Sequence, residues 1–372
     1  MTAPTRVAIL GATGSIGRQT LEVVAAHPGR LTVTALSANT RAAVALELAG
    51  GYGIDAVIAD SSTPDGAARL VALATQDDVD LVVVATPGIA GLRPTLAALA
   101  AGKDVALANK EVLVVGGPLV RAASGGAGRR LRPVDSEHAA LWQCLAAAPP
   151  ERVRRVALTA SGGPFRERPL DTFATITPVE ALRHPTWRMG PKVTVDSATL
   201  VNKAYEVVEA HWLYGFGYDR IDVVLHPESL VHAMIELEDG SVLAQLAEPD
   251  MRLPIQHALL WEHAGSLAPQ LDWTRERTFH FGTVEAARYP CLQLVLETAR
   301  SGDIGAMVGI SAADEVAVAR FIAGDIRFTE IVEHLERGAE LGTGKVAEDD
   351  VDAILELDAR VRRELRPAMV RA

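Results

Sequence analysis

The sequence predicts an α/β protein in three parts: an N-terminal Rossmann-like doubly wound parallel sheet, a central α+β domain with a lid loop, and a small C-terminal helical bundle. Three observations lead there. In the first third of the chain, short continuous apolar runs alternate with segments of helical periodicity, as expected for strands covered on both faces by helices. A glycine-rich turn, Gly11-Ala-Thr-Gly-Ser-Ile-Gly17, joins the first apolar run directly to the first helical segment. From residue 291 onward only helical stripes remain. At 372 residues, and with roughly 150 per domain, more than one domain is expected.

Taken in order, Arg6–Leu10 is the first strand, and Ile16, Thr20, Val23 and Val24 mark the helix after the glycine turn. Leu31–Leu36 is the second strand and completes a βαβ unit of about 30 residues. Strands follow at Ile54–Ala59, Leu81–Ala85 and Asp104–Leu107, with helices at Gly66–Ala74 and Leu92–Ala101 between them. A glycine turn in this position lets backbone approach a pyrophosphate, whose charge the helix N-terminus receives; Thr13, Gly14, Ser15 and Ile16 are the cofactor candidates. The second strand ends in Ser37-Ala-Asn39-Thr40-Arg41, with no carboxylate to hold a ribose hydroxyl or repel a 2′-phosphate. Asn39 and Arg41 therefore favour NADP(H) over NAD. The plainer alternative is a structural glycine turn with Arg41 solvated. Ligands in such sheets sit beyond the carboxyl ends of strands, which makes Asn109-Lys110-Glu111 a site candidate.

Composition narrows the class. Lys and Arg number 36 against 47 Asp and Glu, a net charge of −11 that makes nucleic acid a poor partner. Apolar residues at 49% and charged ones at 22% fit a folded globular chain. Two cysteines, Cys144 and Cys291, are too few for a disulfide framework or a zinc cluster. No stretch approaches the ~20 apolar residues of a membrane span, and the start leaves no room for a signal peptide, so a cytoplasmic protein is expected.

The central region carries the polar motifs. Pro133-Val-Asp135-Ser136-Glu137-His138 puts two carboxylates at i and i+2, on one face if the segment is extended. Thr159-Ala-Ser161-Gly162-Gly163 offers a hydroxyl and bare amides to an oxyanion. Val195-Asp-Ser197-Ala-Thr199 reads as the N-terminus of a helix running to about Tyr214. On that helix Asn202, Lys203, Glu206 and Glu209 share a face opposite an apolar stripe. Each motif has a plain alternative: Lys203–Glu206 as a surface ion pair, Asp135 and Glu137 as solvated acids. Together they make a kit. Asp135, Glu137 and Glu206 are hard oxygen ligands suited to Mg²⁺ or Mn²⁺, and Ser161, Ser197, Asn202 and Lys203 suit a phosphate.

Between them, residues 183–192 hold Pro185, Pro191 and Gly190, which argue against regular structure, and the costly apolar Trp187 and Met189. That combination suits a lid over a ligand, the alternative being that Trp187 anchors the loop to the core. His226, His232 and His257 read as structural histidines, and Cys144 as core. Residues 264–290 lack periodicity and read as a linker. Beyond it, helices are expected around Leu292–Ala299, from Ala312 to near Gly324, after an N-cap at Thr329, and at Val351–Leu365 before Pro367. No chemistry is expected in this part. The resulting division is 1–134 (cofactor), 135–263 (catalysis), 264–290 (linker) and 291–372 (bundle).

At Ala108-Asn-Lys-Glu111, Val134-Asp-Ser-Glu-His138, Ser161-Gly-Gly-Pro-Phe-Arg166, His184-Pro-x-Trp187, Val195-Asp-Ser-Ala-Thr199, Asn202-Lys203 with Glu206, His226-Pro227 and Glu248-Pro-Asp-Met251, the sequence closely resembles the 1-deoxy-D-xylulose 5-phosphate reductoisomerases. The motifs occur in one order and the resemblance spans essentially the whole chain. It implies a homodimer that converts 1-deoxy-D-xylulose 5-phosphate to 2-C-methyl-D-erythritol 4-phosphate in non-mevalonate isoprenoid synthesis. It also implies NADPH and Mg²⁺, Mn²⁺ or Co²⁺ as cofactors, and a retro-aldol/aldol rearrangement before hydride transfer.

By position, the resemblance makes Asp135, Glu137 and Glu206 the metal ligands, which with Lys110 are the catalytic set. Ser161, Ser197, Asn202 and Lys203, with His184 and Trp187 from the lid, would hold the substrate, and Lys110 and Ser136 its hydroxyl and carbonyl end. Thr13–Ile16, Asn109, Glu111 and Gly190 would face the cofactor. The chain departs from the family at Asn39-Thr40-Arg41, where Gly, Lys and Asn are usual, and it is shorter around residues 50–80. Two rival readings are another two-domain NADP-linked dehydrogenase and a non-catalytic NADP-sensing regulator. The first would need a catalytic thiol in a fitting setting if it were a semialdehyde enzyme, and the second would show eroded ligands.

Overall fold

In a computed structural model the chain is described over residues 3–124, 130–187, 189–261, 265–347 and 350–366. Arg188 of the expected lid, Pro367 and the expected 263/264 boundary lie outside the described residues.

The first apolar run is β1 (Thr5–Leu10), with Val7–Leu10 fully buried. It lies at the centre of a six-stranded sheet in which every pairing is parallel. The other strands are β2 (Leu31–Ala38), β3 (Ala56–Ile58), β4 (Leu81–Val84), β5 (Asp104–Leu107) and β6 (Leu131–Pro133), in the order β3-β2-β1-β4-β5-β6. The helices that cover it are α1 (Ser15–Ala26), α2 (Ala42–Tyr52), α3 (Pro64–Ala74), α4 (Leu92–Ala100) and α5 (Glu111–Ser124). The strand order reverses between β1 and β4, the crevice where such sheets take their ligands. The glycine turn is tight there. A Cβ on Gly11 (φ +88°) would stand 2.6 Å from the carbonyl of Ala85, and one on Gly17 would stand 2.4 Å from that of Gly11. Gly14 caps α1 without a side-chain bond.

The central region opens with α6 (Ser136–Ala146) and builds a mixed four-stranded sheet, β10-β9-β7-β8. Its strands are β7 (Val153–Ala160), β8 (Ile221–Leu225), β9 (Val231–Leu237) and β10 (Val242–Leu246). Only β7 and β8 pair in parallel. Helices α7 (Pro178–Ala181), α8 (Pro191–Thr199) and α9 (Val201–Tyr214) lie between β7 and β8, and α10 (Arg252–Leu260) follows β10.

Three local expectations are corrected here. Asp135 and Glu137 are not extended: Asp135 caps α6, its carboxylate accepting from the Glu137 amide at 3.3 Å. Val195–Thr199 ends α8 rather than starting the next helix, because Leu200 takes a left-handed conformation (φ 59°) and breaks the chain direction. Pro191 and Lys192 are not loop; proline at the first helical position, where no amide donor is required, opens α8.

The C-terminal part consists of α11 (Pro290–Ser301), α12 (Ile304–Ala323), α13 (Ile331–Gly342) and α14 (Val351–Leu365). The helix expected from Ala312 begins two turns earlier, at Ile304, capped by Asp303. Thr329 is not a cap but lies inside a short 3₁₀ turn, Phe328–Glu330, which leads into α13. Of the expected linker, residues 265–290 are described and are largely irregular, but Leu225 and Gly282 exchange two backbone bonds, which tie this stretch to β8. Among the described residues no helix is long and apolar enough to cross a membrane.

Candidate active site

A cleft of about 1210 Å³ lies beyond the carboxyl ends of β1, β4 and β5 and is closed from the other side by α6, α8, α9 and α12. Its acidic corner is built from two helix starts. Asp135 and Glu137 come from the first turn of α6, and Glu206 lies one turn beyond Asn202 on α9. Carboxylate oxygens of Asp135, Glu137 and Glu206 lie within 4.8 Å of one another. Two ammonium groups share them. Lys110, just after β5, is 2.8 Å from Asp135, 2.8 Å from the Asn202 side-chain Oδ1 and 3.5 Å from Glu206. Lys203 pairs with Glu206 and lies 3.2 Å from Glu137.

The corner's electrostatics follow from burial set against these pairings. Burial, with Glu137 and Asp135 adding repulsion, pushes the Glu206 carboxyl up to about 7 despite Lys203. Burial opposes the Lys110 and Lys203 charges, but the surrounding carboxylates outweigh it and hold both above the ordinary lysine range. Both therefore remain ammonium groups. Burial likewise opposes the His138 charge, yet Glu209 and Asp135 raise that ring to about 9. A doubly protonated His138 donates from Nδ1 to Asp135 at 3.2 Å and from Nε2 to the Glu206 backbone carbonyl at 2.8 Å, fixing two members of the trio. Three hard oxygens converging beside displaceable cations suit a divalent ion of the Mg²⁺ or Mn²⁺ type.

The second corner is hydroxylic. Ser161 follows β7, and its Oγ accepts from the Gly163 amide at 3.2 Å. His184 Nδ1 accepts from the Trp187 amide at 2.9 Å, so Nε2 carries the hydrogen and faces Ser161 Oγ (3.1 Å) and Ser197 Oγ (3.0 Å). Burial lowers this imidazole to about 4, which keeps it neutral. Ser197 and Asn202 reach the same cleft from two helices because of the Leu200 break.

The predicted residues separate into groups. Ser15, Ile16, Asn109, Lys110, Glu111, Asp135, Ser136, Glu137, Ser161, His184, Trp187, Gly190, Ser197, Asn202, Lys203 and Glu206 all line the cleft. Thr13, Gly14, Asn39 and Arg41 do not, although Arg41 donates to the Thr13 carbonyl at 3.2 Å across the glycine turn. Asn109 has its amide engaged: it donates to the carbonyls of Thr86 and Gly88 and accepts from the Val112 amide. Ser136 Oγ donates to Glu137 at 2.6 Å.

The C-terminal part, expected to hold no chemistry, contributes a wall: Glu315, Val318, Ala319 and Ile322 of α12 line the cleft. An apolar helical stripe gives no sequence signal that separates this from an ordinary core helix. Pro249–Arg252 also line it, and the Glu248-Pro-Asp-Met251 motif was the available signal. His226 is structural as expected, donating to the His280 carbonyl and accepting from the Leu230 amide. Cys144 and Cys291 are buried thiols.

Comparison with known proteins places this cleft in context. Residues 7–65 and 55–117 match the family described as 1-deoxy-D-xylulose 5-phosphate reductoisomerase, 131–214 its C-terminal domain, and 246–364 the DXP reductoisomerase C-terminal domain. The chain is 50% identical over 338 residues to the 1-deoxy-D-xylulose 5-phosphate reductoisomerase of Thermomicrobium roseum, covering 88% of each chain. It is 44% identical over 386 residues to that of Gloeobacter violaceus, covering 97% of this chain and 96% of the relative. Its fold is similar to the Zymomonas mobilis reductoisomerase solved with NADPH (TM-score 0.87, 37% identity, 97% and 98% of the two chains). It is equally similar to a reductoisomerase solved with NADPH, fosmidomycin and magnesium (TM-score 0.87, 35% identity, 97% of each chain).

Proposed function

The chain belongs to the 1-deoxy-D-xylulose 5-phosphate reductoisomerase family and, with NADPH and a divalent cation, converts 1-deoxy-D-xylulose 5-phosphate to 2-C-methyl-D-erythritol 4-phosphate; we propose the following assignment of its residues. Asp135, Glu137 and Glu206 hold the cation, Mn²⁺ serving as well as Mg²⁺. The observation that carries this is the convergence of their oxygens within 4.8 Å at the floor of a cleft reached by a glycine turn. When bound, the cation supplies Lewis acidity to neighbouring substrate oxygens and NADPH supplies a hydride.

The chain's own groups do the rest. Lys110, held above the ordinary lysine range, acts as a hydrogen-bond donor to developing oxyanion charge and not as a base. Ser161, Ser197, Asn202 and Lys203 bind the substrate phosphate, and His184 adds its Nε2 hydrogen. Ser136 contacts the carbonyl end. Loop 183–190, fastened through His184, closes with Trp187 over the cleft, excludes water and keeps the fragments of a retro-aldol step together. Thr13–Ile16, Asn39, Arg41, Asn109, Glu111 and Gly190 form the NADPH side, Arg41 being placed for the 2′-phosphate.

The division into 1–134, 135–263, 264–290 and 291–372 follows the same roles. Homodimerisation is supported by the edge strand β10, whose Val242 is exposed, and by exposed Trp261 packed on Trp142. A cytoplasmic setting is supported by two buried thiols and no disulfide among the described residues. Titrating the protein with Mn²⁺ and following its electron paramagnetic resonance tests the ligand set. One site lost in Asp135→Asn and in Glu206→Gln is expected; unchanged affinity in both variants removes these residues from the metal site.

A further inference from the structure

Lys192 opens α8 where loop 183–190 ends, and carboxylates from three elements surround its ammonium group. Asp196, one turn on, and Asp314 of α12 each lie 2.7 Å away, and Glu111 at the start of α5 lies at 3.2 Å. The Tyr205 ring covers the group at 5.2 Å, and its hydroxyl donates to Asp314 at 3.4 Å. The Asp196 and Asp314 side chains are each 1% exposed. Of this cluster only Glu111 has a role assigned above, on the NADPH side, yet every member adjoins a residue of the site. Glu111 follows Lys110, Lys192 is two residues from Gly190, and Asp196 precedes Ser197. Asp314 precedes Glu315 of the cleft wall, which Arg362 of α14 grips with two bonds at 2.7 and 2.8 Å.

One ammonium against three carboxylates leaves an excess of negative charge in a buried place. Burial and mutual repulsion raise the Asp196 carboxyl, and burial raises that of Asp314 against the pull of Lys192. The second oxygen of each aspartate has no hydrogen-bond partner among the described residues. Such a costly arrangement is a poor source of stability, since an apolar cluster of similar volume would serve at least as well. What it provides is a fixed relation between four segments.

We propose that Lys192, held by Asp314 from the C-terminal bundle, is a positioning residue for the reaction. It sets the base of loop 183–190 against Lys110 and Ser197, so that the loop closes over substrate in register. This rests on the lid reading given above. The test uses the full-length, metal-loaded protein and compares Lys192→Met, Asp314→Leu and Asp314→Asn, with Trp187→Ala as the loop control. Lys192→Met and Asp314→Leu are expected to raise the substrate KM about tenfold or more, with Mn²⁺ affinity within about twofold of the wild type. Asp314→Asn, which keeps an acceptor for Lys192, restores most of what Asp314→Leu loses.

A lowered Tm with unchanged KM and kcat in Lys192→Met and Asp314→Leu, beside an impaired Trp187→Ala, overturns the proposal alone. If Lys192→Met fails to fold, the Asp314 pair decides: Leu impaired with Asn rescued supports it, and both like the wild type overturns it. An unaffected Trp187→Ala removes the lid and this proposal with it. A wild type without turnover removes the functional reading itself.

Discussion

Two clusters of buried charge flank the start of α9, and they differ in what they show to the cleft. Around Glu206, three carboxylates share two ammonium groups, and Asp135 and Glu137 keep 14% and 15% of their side chains exposed. Around Lys192, three carboxylates share one ammonium, and Asp196 and Asp314 are sealed beneath Tyr205 and α12. Of the second's carboxylates only Glu111, 11% exposed, opens onto the cleft, whereas the first turns two partly exposed carboxylates there. It can exchange its lysine contacts for a dication without unpacking a helix, whereas the second would have to separate α8 from α12. In the roles proposed above, similar residue types do chemistry in one place and hold geometry in the other, and access separates the two.

The largest expected effect breaks the first cluster. Glu206→Gln keeps the shape of the side chain and removes a ligand charge, so kcat should fall about a thousandfold or more while the circular dichroism spectrum stays that of the wild type. A fully active variant would remove Glu206 from the metal site. Next, Lys203→Ala should act on binding: losing a charged hydrogen bond costs roughly 1.5–3 kcal/mol, and substrate KM should rise about 10- to 150-fold with a smaller change in kcat. An unchanged KM would refute its phosphate role.

The smallest effect sharpens the contrast from the hydroxylic corner. Burial depresses the His184 imidazole from 6.5 to about 4, so as pH falls the unfolded chain takes up this proton first. The stability it contributes is complete above pH 6.5 and is lost as pH falls toward 4. In a His184→Gln variant, Tm should therefore decline less steeply between those values, by on the order of 1–2 °C. Parallel Tm–pH curves for the two proteins would contradict the buried neutral state.

The parallel sheet was legible because its central strands are continuous apolar runs that need no partner to be recognised. Asp104–Leu107 is placed as expected, the other four expected strands begin and end within two residues of their predicted bounds, and the three-residue edge strand β6 was not anticipated. Polar segments were harder. Small residues such as Asp196, Ser197 and Thr199 suit the end of one helix as well as the start of the next, and only the turn at Leu200 decides. The residues proposed for an ion and a phosphate could be picked out by type and order, since hard carboxylates, lysines and serines suit such ligands, and they line one cleft. Asp314 could not be found that way. It sits in the apolar sequence of α12, and its meaning comes from Lys192, far along the chain, which no local pattern connects to it.

In the proposed assignment one cleft couples metal-dependent rearrangement to reduction by NADPH. Its most direct test is NADPH oxidation with 1-deoxy-D-xylulose 5-phosphate in the presence of Mg²⁺ or Mn²⁺, repeated after chelation and again after the metal is restored. Consumption of NADPH with formation of 2-C-methyl-D-erythritol 4-phosphate is expected, lost on chelation and recovered with the metal. Tight NADPH binding without turnover, or turnover that persists in the chelator, would contradict it.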